Sequence, residues 1–160
     1  MEAVAVREAG PGDLPAIDAI EAASFDRDRF PRRNLARMLK GGRTRFFLAD
    51  EGAGYLALSL RRGGSTGRIY SLAVHPDARG RGAASALIAA ARKLALCEGL
   101  RALRLEVRES NLAARRLYER EGFCLRERRQ AYYEDGEAAL QLEALLEPLE
   151  PARTRETPIS

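Results

Sequence analysis

The chain has 160 residues, of which 46% are hydrophobic and 31% are charged, and its formal net charge is +4. This length and composition exclude a disordered chain, and no apolar run approaches the ~20 residues that are needed to cross a bilayer. The positive charge comes almost entirely from arginines that are scattered among acidic residues, a pattern that does not indicate a nucleic-acid interface.

The first eight residues carry early acids and no apolar core, so the sequence does not predict a signal peptide. We expect one domain over residues 1–149 and a loose tail over residues 150–160, in a cytoplasmic protein with no membrane association. Cys97 and Cys124 are expected to be buried, reduced thiols rather than a disulfide or a metal site. Whether the chain is a monomer or a homodimer stays open.

Hydrophobic periodicity predicts an alternation of strands and helices along the chain. Strands are expected at about residues 4–7, 46–49, 55–60, 69–74, 103–107, 124–133 and 138–145. Helices are expected to begin near Asp13, which is a candidate helix cap, and near Pro31, Ala84 and Asn111. Because a helix connects the fourth strand to the fifth, these two strands should be parallel, and the fold class is α/β with a mixed sheet.

The segment of residues 79–84, Arg-Gly-Arg-Gly-Ala-Ala, lies between a predicted strand and a predicted helix. Backbone amides at the start of a helix are unpaired and carry partial positive charge, so small side chains there allow phosphate oxygens to approach. The alternative is a tight turn that uses glycine only for its backbone freedom. Neither the Gly-Lys-Ser/Thr triplet of a phosphate-binding loop nor the three spaced glycines of a dinucleotide-binding unit occurs here.

Residues 74–84 resemble the acetyl-CoA motif of the GNAT superfamily of N-acetyltransferases, Arg/Gln-x-x-Gly-x-Gly/Ala, with Arg79, Gly82 and Ala84 in the defined positions. Ala83 stands where a bulkier aliphatic residue is common in that superfamily. The resemblance implies that the pyrophosphate of acetyl-CoA is held by the backbone amides of Arg79, Gly80, Arg81, Gly82, Ala83 and Ala84. It also implies that the pantetheine arm pairs with the fourth strand at Leu72, Ala73 and Val74.

A second block, residues 105–123, resembles the same superfamily through Leu-Glu-Val-Arg, Ser-Asn and the ending Leu-Tyr-x-x-x-Gly-Phe. Together with the later tyrosine pair, these features are most similar to the bacterial ribosomal-protein-alanine N-acetyltransferases and their protein N-terminal relatives. The resemblance implies the GNAT fold, which is a mixed, mostly antiparallel seven-stranded sheet with about four helices. In that fold the parallel fourth and fifth strands splay apart around the cofactor.

Acetyl transfer from a thioester to an amine requires an acceptor for the proton that the amine loses and a donor for the departing thiolate. Glu106 is the candidate base, directly or through water; the strand pattern alone favours a surface carboxylate, whereas the family position favours the base. Tyr118 is the candidate acid, and the alternative is a core tyrosine. Asn111 is expected both to cap its helix and, like Tyr118, to contact the cofactor. His75 is interpreted as structural.

The acceptor is expected to be a primary amine, and the resemblance implies a protein or peptide N-terminus whose slot is lined by Tyr132 and Tyr133. Ordinary strand aromatics are the alternative explanation of this pair. Residues 25–33 do not match the apolar, tryptophan-containing segment of the ribosomal enzymes. A lysine or a small amine therefore stays open as the acceptor, and a non-catalytic acetyl-CoA-binding module stays open as the function.

Neither cysteine falls in one of the two motifs, so we expect direct transfer between acetyl-CoA and the amine without a covalent acetyl-enzyme. Neither a metal nor a nucleic acid is expected to take part.

Overall fold

The computed structural model describes residues 3–25, 28–61 and 63–147. One sheet contains the seven strands of this described part: β1 (Val6–Ala9), β2 (Thr44–Ala49), β3 (Gly54–Leu60), β4 (Thr66–Val74), β5 (Ala102–Arg108), β6 (Cys124–Arg129) and β7 (Ala139–Leu145). The α-helices are α1 (Leu14–Ser24), α2 (Arg32–Gly41), α3 (Ala83–Cys97) and α4 (Leu112–Arg120). The strand order across the sheet is β1-β2-β3-β4-β5-β7-β6, which confirms the predicted α/β class and the fold that the resemblance implies.

The sheet opens between β4 and β5, which are parallel, whereas the other neighbouring strands described here pair antiparallel. Helix α3 connects the end of β4 to the start of β5, and a crossover of this kind joins parallel strands. The parallel register covers three residue pairs and ends at Arg68↔Arg104. Because β4 continues to Val74 and β5 to Arg108 beyond that pair, a gap opens between them, as expected from the splay.

Helices cover both faces of the sheet. The alternation of side chains along β2 places Phe46 and Leu48 in a core cluster with α1 and α2, and Phe47 and Ala49 in a second cluster with α3 and α4. Burial of each large apolar side chain stabilises the fold by about 1.5–3 kcal/mol. This packing holds the N-terminus of α3 and one side of α4 next to the gap.

Among the predicted strand boundaries that were wrong, two bear on the site. β4 begins at Thr66 rather than Ile69, because its first three residues complete the parallel pair with β5. β6 ends at Arg129 rather than near Tyr133, because the backbone turns at Ala131, where φ is 50°, and a strand cannot continue through that conformation. The tyrosine pair therefore lies in the connection between β6 and β7.

The two predicted helix caps had different outcomes. Asn111 caps α4 through its side-chain Oδ1, which accepts a hydrogen bond from the Ala114 amide at 3.1 Å, as predicted. Asp13 precedes α1 but makes no side-chain hydrogen bond to it. Instead, its carboxylate accepts from the Gly10 amide at 2.9 Å and pairs with Arg7.

Both cysteines are exposed free thiols, so their predicted burial was wrong. Cys97 is the last residue of α3, and Cys124 is the first residue of β6. β6 lies at the edge of the sheet, and all its side chains are exposed. The apolar pattern of the sequence did not reveal this edge position.

The tail expected at residues 150–160 lies outside the described residues. None of the described helices combines the length and the hydrophobicity that crossing a bilayer requires. Within the same residues, no group of three or more His, Cys, Asp or Glu side chains is arranged to hold a metal ion.

Candidate active site

Two cavities meet in the gap between β4 and β5. The α3 cavity, of about 450 Å³, lies at the N-terminus of α3. The β5 cavity, of about 470 Å³, lies along β5 beside the described part of the α1–α2 loop (residues 25 and 28–31) and the β6–β7 loop (residues 130–138). The side chains common to both linings are Phe25, Leu72, Asn111, Ala114 and Tyr118. Two molecules can therefore enter from different sides and meet at these residues.

The glycine-rich segment, residues 79–84, forms one wall of the α3 cavity. Gly80 and Gly82 both have a φ of 83°, a conformation that glycine adopts without steric cost. A Cβ atom at either position would meet no atom within 4 Å, so the space in front of them is open. Gly82 precedes α3 without a side-chain cap, which leaves the amides of the first helical turn available to an anion.

Most residues predicted to hold the cofactor line the α3 cavity. From the glycine-rich segment they are Arg79, Gly80, Gly82, Ala83 and Ala84. Arg81 is exposed and lies outside this lining. Leu72, Ala73 and Val74 also line it, beyond the last pair between β4 and β5. Their backbone groups on the β5 side can therefore pair with a ligand that enters the gap.

The α3 cavity carries positive charge. Arg79 and Arg120 line it, and the described lining contains no aspartate or glutamate. The dipole of α3 adds about half a unit of positive charge at the helix N-terminus. A polyanion such as a pyrophosphate is therefore the ligand that the electrostatics of this cavity favour.

Tyr118 lies at the junction of the two cavities. Its side chain comes from α4, is only 8% exposed and packs edge-on against Phe123 at a centroid distance of 5.6 Å. Burial raises the pKa of the Tyr118 phenol well above its usual value of 10.0, with a smaller contribution from Tyr133. The hydroxyl is consequently protonated at neutral pH and is available as a donor.

Glu106 lines the β5 cavity with a side chain that is 8% exposed, so it is not a surface carboxylate. Its Oε2 lies 3.2 Å from Arg68 Nε. The two atoms are too poorly aligned for a hydrogen bond, and both are buried without another hydrogen-bond partner in the described part of the chain. Gln141 Nε2 donates to Glu106 Oε1 over a long 3.5 Å. The carboxylate therefore lies in the wall of the cavity beside Arg68, and its Oε2 makes an ion pair but no hydrogen bond within the described residues.

Arg108 ties together the two loops that wall the β5 cavity. Its guanidinium forms a bidentate pair with Asp28 of the α1–α2 loop, at 2.7 and 2.9 Å. It also donates to Asp135 at 2.8 Å and to Glu137 at 3.0 Å, both in the β6–β7 loop. The same guanidinium stacks 4.1 Å from the Tyr133 ring centroid. Several charge-assisted bonds to one arginine hold both walls in place.

A buried carboxylate supports the α1–α2 loop from behind. Glu21 is 0% exposed and accepts hydrogen bonds from the Tyr55 hydroxyl at 2.5 Å, the Ser71 hydroxyl at 3.1 Å and the Phe30 amide at 2.8 Å. Ser71 and Phe30 both line the β5 cavity. These bonds join α1, β3, β4 and the loop into one rigid floor.

Tyr132 and Tyr133 line the β5 cavity, where they pack edge-to-face with ring centroids 5.0 Å apart. The Tyr132 hydroxyl accepts a hydrogen bond from Arg68 Nη2 at 3.2 Å. Burial and the nearby Asp28 charge raise the pKa of Tyr133 to about 12. Because both lie in a loop at the cavity, the alternative of ordinary strand aromatics is wrong.

The profile of the Acetyltransferase (GNAT) family matches residues 14–123 of the chain. The chain belongs to the GNAT acetyltransferase family. It is accordingly an acetyl-CoA-dependent N-acetyltransferase, as the resemblance of the two sequence blocks implied.

Relatives of this GNAT enzyme act on different acceptors. An uncharacterised N-acetyltransferase of Methanocaldococcus jannaschii is 34% identical over 142 residues, which cover 84% of this chain and 87% of that relative. The ribosomal-protein-S18-alanine N-acetyltransferase of Escherichia coli has a TM-score of 0.80 at 26% identity, over 94% of this chain and 98% of its own. Nourseothricin acetyltransferase has a TM-score of 0.75 at 27% identity, over 91% and 100%. Family membership therefore establishes the reaction, whereas the identity of the acceptor has to be inferred from the residues of the site.

Several residues of the GNAT site were not predicted from the sequence. Arg68 fell one residue before the predicted fourth strand, although its alternation with Tyr70 around the buried Ile69 is a strand signal that marks one face as polar. Arg108 and Asp28 carried no local signal, because they are 80 residues apart. His75 lines neither cavity; its Nδ1 accepts from the Asp77 amide at 3.1 Å, which agrees with a structural role.

Proposed function

We propose that this GNAT enzyme transfers the acetyl group directly from acetyl-CoA to the α-amine at the N-terminus of a protein or peptide. The observation that carries the proposal is the meeting of two cavities of different character at Tyr118. The α3 cavity offers helix amides and arginines to the cofactor phosphates. The β5 cavity offers a carboxylate and a tyrosine pair to the amine, and the exposed Tyr70 and Tyr132 mark where it opens to solvent, so that a polypeptide can continue outward from it.

The proposed proton movements use the two candidate residues. Glu106, which lines the β5 cavity, accepts through an intervening water the proton that the attacking amine loses. Tyr118 donates its proton to the sulfur as the carbon–sulfur bond breaks. The amine nitrogen thereby forms the new amide bond, and coenzyme A leaves as the thiol.

The proposed acceptor follows from the shape of the β5 cavity and from one neighbour. The Escherichia coli structure with a TM-score of 0.80 is named for transfer to an alanine of ribosomal protein S18. A tyrosine pair beside the amine site suits an extended backbone, since phenol rings offer both apolar surface and a hydroxyl. Nourseothricin acetyltransferase supports a small amine instead, and the acceptor experiment below separates the two.

Glu106→Gln is expected to lower kcat/KM about 100-fold at neutral pH, because the amide cannot take up the proton. Part of this loss should return as the pH rises past ~8, since the free N-terminal amine then loses its proton to solvent. The measurement is the pH profile of kcat/KM for both enzymes. Glu143→Gln is the matched control, because Glu143 pairs with Arg104 at 2.6 Å on the same strands and lines neither cavity. A Glu106→Gln profile parallel to wild type would remove this residue as the base.

The double variant Cys97→Ser, Cys124→Ser should keep nearly the full kcat, because both thiols are exposed and neither lines a cavity. The check is steady-state turnover of the folded variant, together with mass analysis of the wild type mixed with acetyl-CoA alone. Loss of turnover, or an acetylated cysteine in the wild type, would contradict direct transfer.

The acceptor experiment is an acetylation screen with mass detection. Its three arms are short peptides with a free N-terminus and varied first residue, the same peptides with a blocked N-terminus and an internal lysine, and small amines that include polyamines. Acetylation at the free N-terminus supports the proposal. Preferential acetylation of lysine or of small amines would replace it, and acetyl-CoA binding without turnover in any arm would indicate a non-catalytic module.

A further inference from the structure

Arg68 lines the β5 cavity, and most of its N–H donors make no hydrogen bond within the described part of the chain. A guanidinium has five N–H donors. In the described part of the chain, Arg68 donates one hydrogen bond to the Tyr132 hydroxyl at 3.2 Å, and its buried Nε makes none. Arg108, the other arginine that lines the cavity, is already bonded to three carboxylates.

The position of the Arg68 guanidinium is well defined. It stacks 4.6 Å from the Tyr70 ring centroid, contacts Tyr132 and lies beside Glu106. Tyr70 and Tyr132 are 41% and 39% exposed, so this group stands where the cavity opens to solvent. A planar, pre-positioned guanidinium with free donors matches the geometry of planar oxyanions, of which the carboxylate is the one that peptides and amino acids carry.

The charge balance of the cavity supports the same ligand. Arg68 and Glu106 neutralise each other when the cavity is empty of substrate. An acceptor amine with a pKa of roughly 8 arrives mainly as an ammonium ion at neutral pH and adds one positive charge. A carboxylate on the same acceptor offsets that charge beside Arg68 and occupies the free donors of its guanidinium, whereas the Arg108 guanidinium is already bonded to three carboxylates.

We propose that Arg68 selects acceptors that carry a carboxylate close to the reacting amine. This inference rests on the proposed transfer to an amine in the β5 cavity and adds the chemistry of the acceptor. Arg68 Nε lies 3.2 Å from Glu106 Oε2, and Glu106 is the proposed base for the amine. A carboxylate bound to Arg68 therefore lies only a few bonds from that amine, as in an aspartate or glutamate among the first two residues of a peptide.

The test compares matched acceptors that differ only in charge. Peptides with Glu or Gln at the first or second residue, together with free glutamate and glutamine, are assayed for kcat/KM with wild type and Arg68→Gln. Wild type should favour the acidic partner by tenfold or more, equivalent to about 1.4 kcal/mol. Arg68→Gln should reduce that ratio to about twofold, chiefly through KM, and Arg68→Lys should keep part of it.

Arg68→Gln also removes the ion-pair partner of Glu106 and can therefore lower the rate with every acceptor. The ratio of kcat/KM between the acidic acceptor and its amide counterpart is unaffected by such a general loss and reports recognition of the carboxylate alone. Arg104→Gln is the matched control, because Arg104 stands opposite Arg68 in the parallel register, pairs with Glu143 and lines neither cavity. Arg104→Gln should keep the wild-type ratio.

Comparing the peptides with the free amino acids shows whether the carboxylate belongs to a peptide or to a small molecule. It also shows whether the Arg68 inference or the proposed peptide acceptor has failed. If glutamate is preferred over glutamine through Arg68 while no peptide reacts, the inference stands and the peptide proposal falls. A wild-type ratio near one, an unchanged ratio in Arg68→Gln, or activity confined to acceptors without a carboxylate would overturn the inference.

Discussion

Tyr118→Phe is expected to lower kcat by about 100-fold or more while acetyl-CoA affinity stays nearly constant. The substitution keeps the ring that packs against Phe123 at 5.6 Å and removes only the hydroxyl that would protonate the departing sulfur. Because burial raises the pKa of this phenol above its usual value of 10.0, the wild-type group stays protonated through the neutral range. Its ionisation should therefore cause no fall in the wild-type rate between about pH 7 and 9.

Single-turnover rates and calorimetric titration with acetyl-CoA measure the two quantities separately. A general acid matters less when the leaving group is a weaker base. The deficit of Tyr118→Phe should therefore shrink with an acetyl donor whose thiol has a lower pKa. A folded variant with wild-type turnover, or a deficit independent of the thiol, would show that Tyr118 serves packing alone.

Gly82→Val is expected to weaken acetyl-CoA binding by well over tenfold, which corresponds to about 1.4 kcal/mol. At this position a side chain would project into the open space in front of the α3 amides, where no protein atom lies within 4 Å. Phosphate oxygens would then be kept from the helix N-terminus. Calorimetric affinity of the folded variant for acetyl-CoA is the measurement.

The backbone at Gly82 introduces a second effect, since its φ of 83° is strained for any L side chain. Gly99→Val provides the matched control: Gly99 follows the other end of α3, has a φ of 77° and also has no neighbour within 4 Å of a built Cβ. Both variants should lower the thermal midpoint, and only Gly82→Val should lose acetyl-CoA. Equal affinities in the two variants would remove the glycine-rich segment from the site.

Local signals in the sequence were sufficient for the order of the elements and for most of the residues that line the α3 cavity, the proposed cofactor half of the site. Gly80 and Gly82 are two residues apart and belong to one strand-to-helix turn, so residues that are near in sequence are also near in space. The family motif could therefore be read along the chain, and the α3 cavity contains most of the residues it indicated. Asn111 was predictable for the same reason, since its cap bond spans three residues.

The acceptor half depended on tertiary packing. Whether Glu106 was exposed or buried could not be read from an alternating strand, because alternation gives the side of the sheet and not what covers it. The edge position of β6, which exposes Cys124, is likewise set by the strand order of the whole sheet. The burial of a strand residue depends on the elements that pack over it, which its local sequence does not specify.

The charged residues around the proposed acceptor site show most clearly what could not be predicted from the sequence alone. Arg108 bonds to residues 27, 29 and 80 positions away, and Arg68 meets Glu106 across two strands that diverge at that point. The Arg68–Glu106 contact depends on the register and splay of β4 and β5, and the Arg108 contacts depend on how the loops are placed around the end of β5. Folding brings the charged groups together, since electrostatic pairing depends on distance in space and not on separation along the sequence.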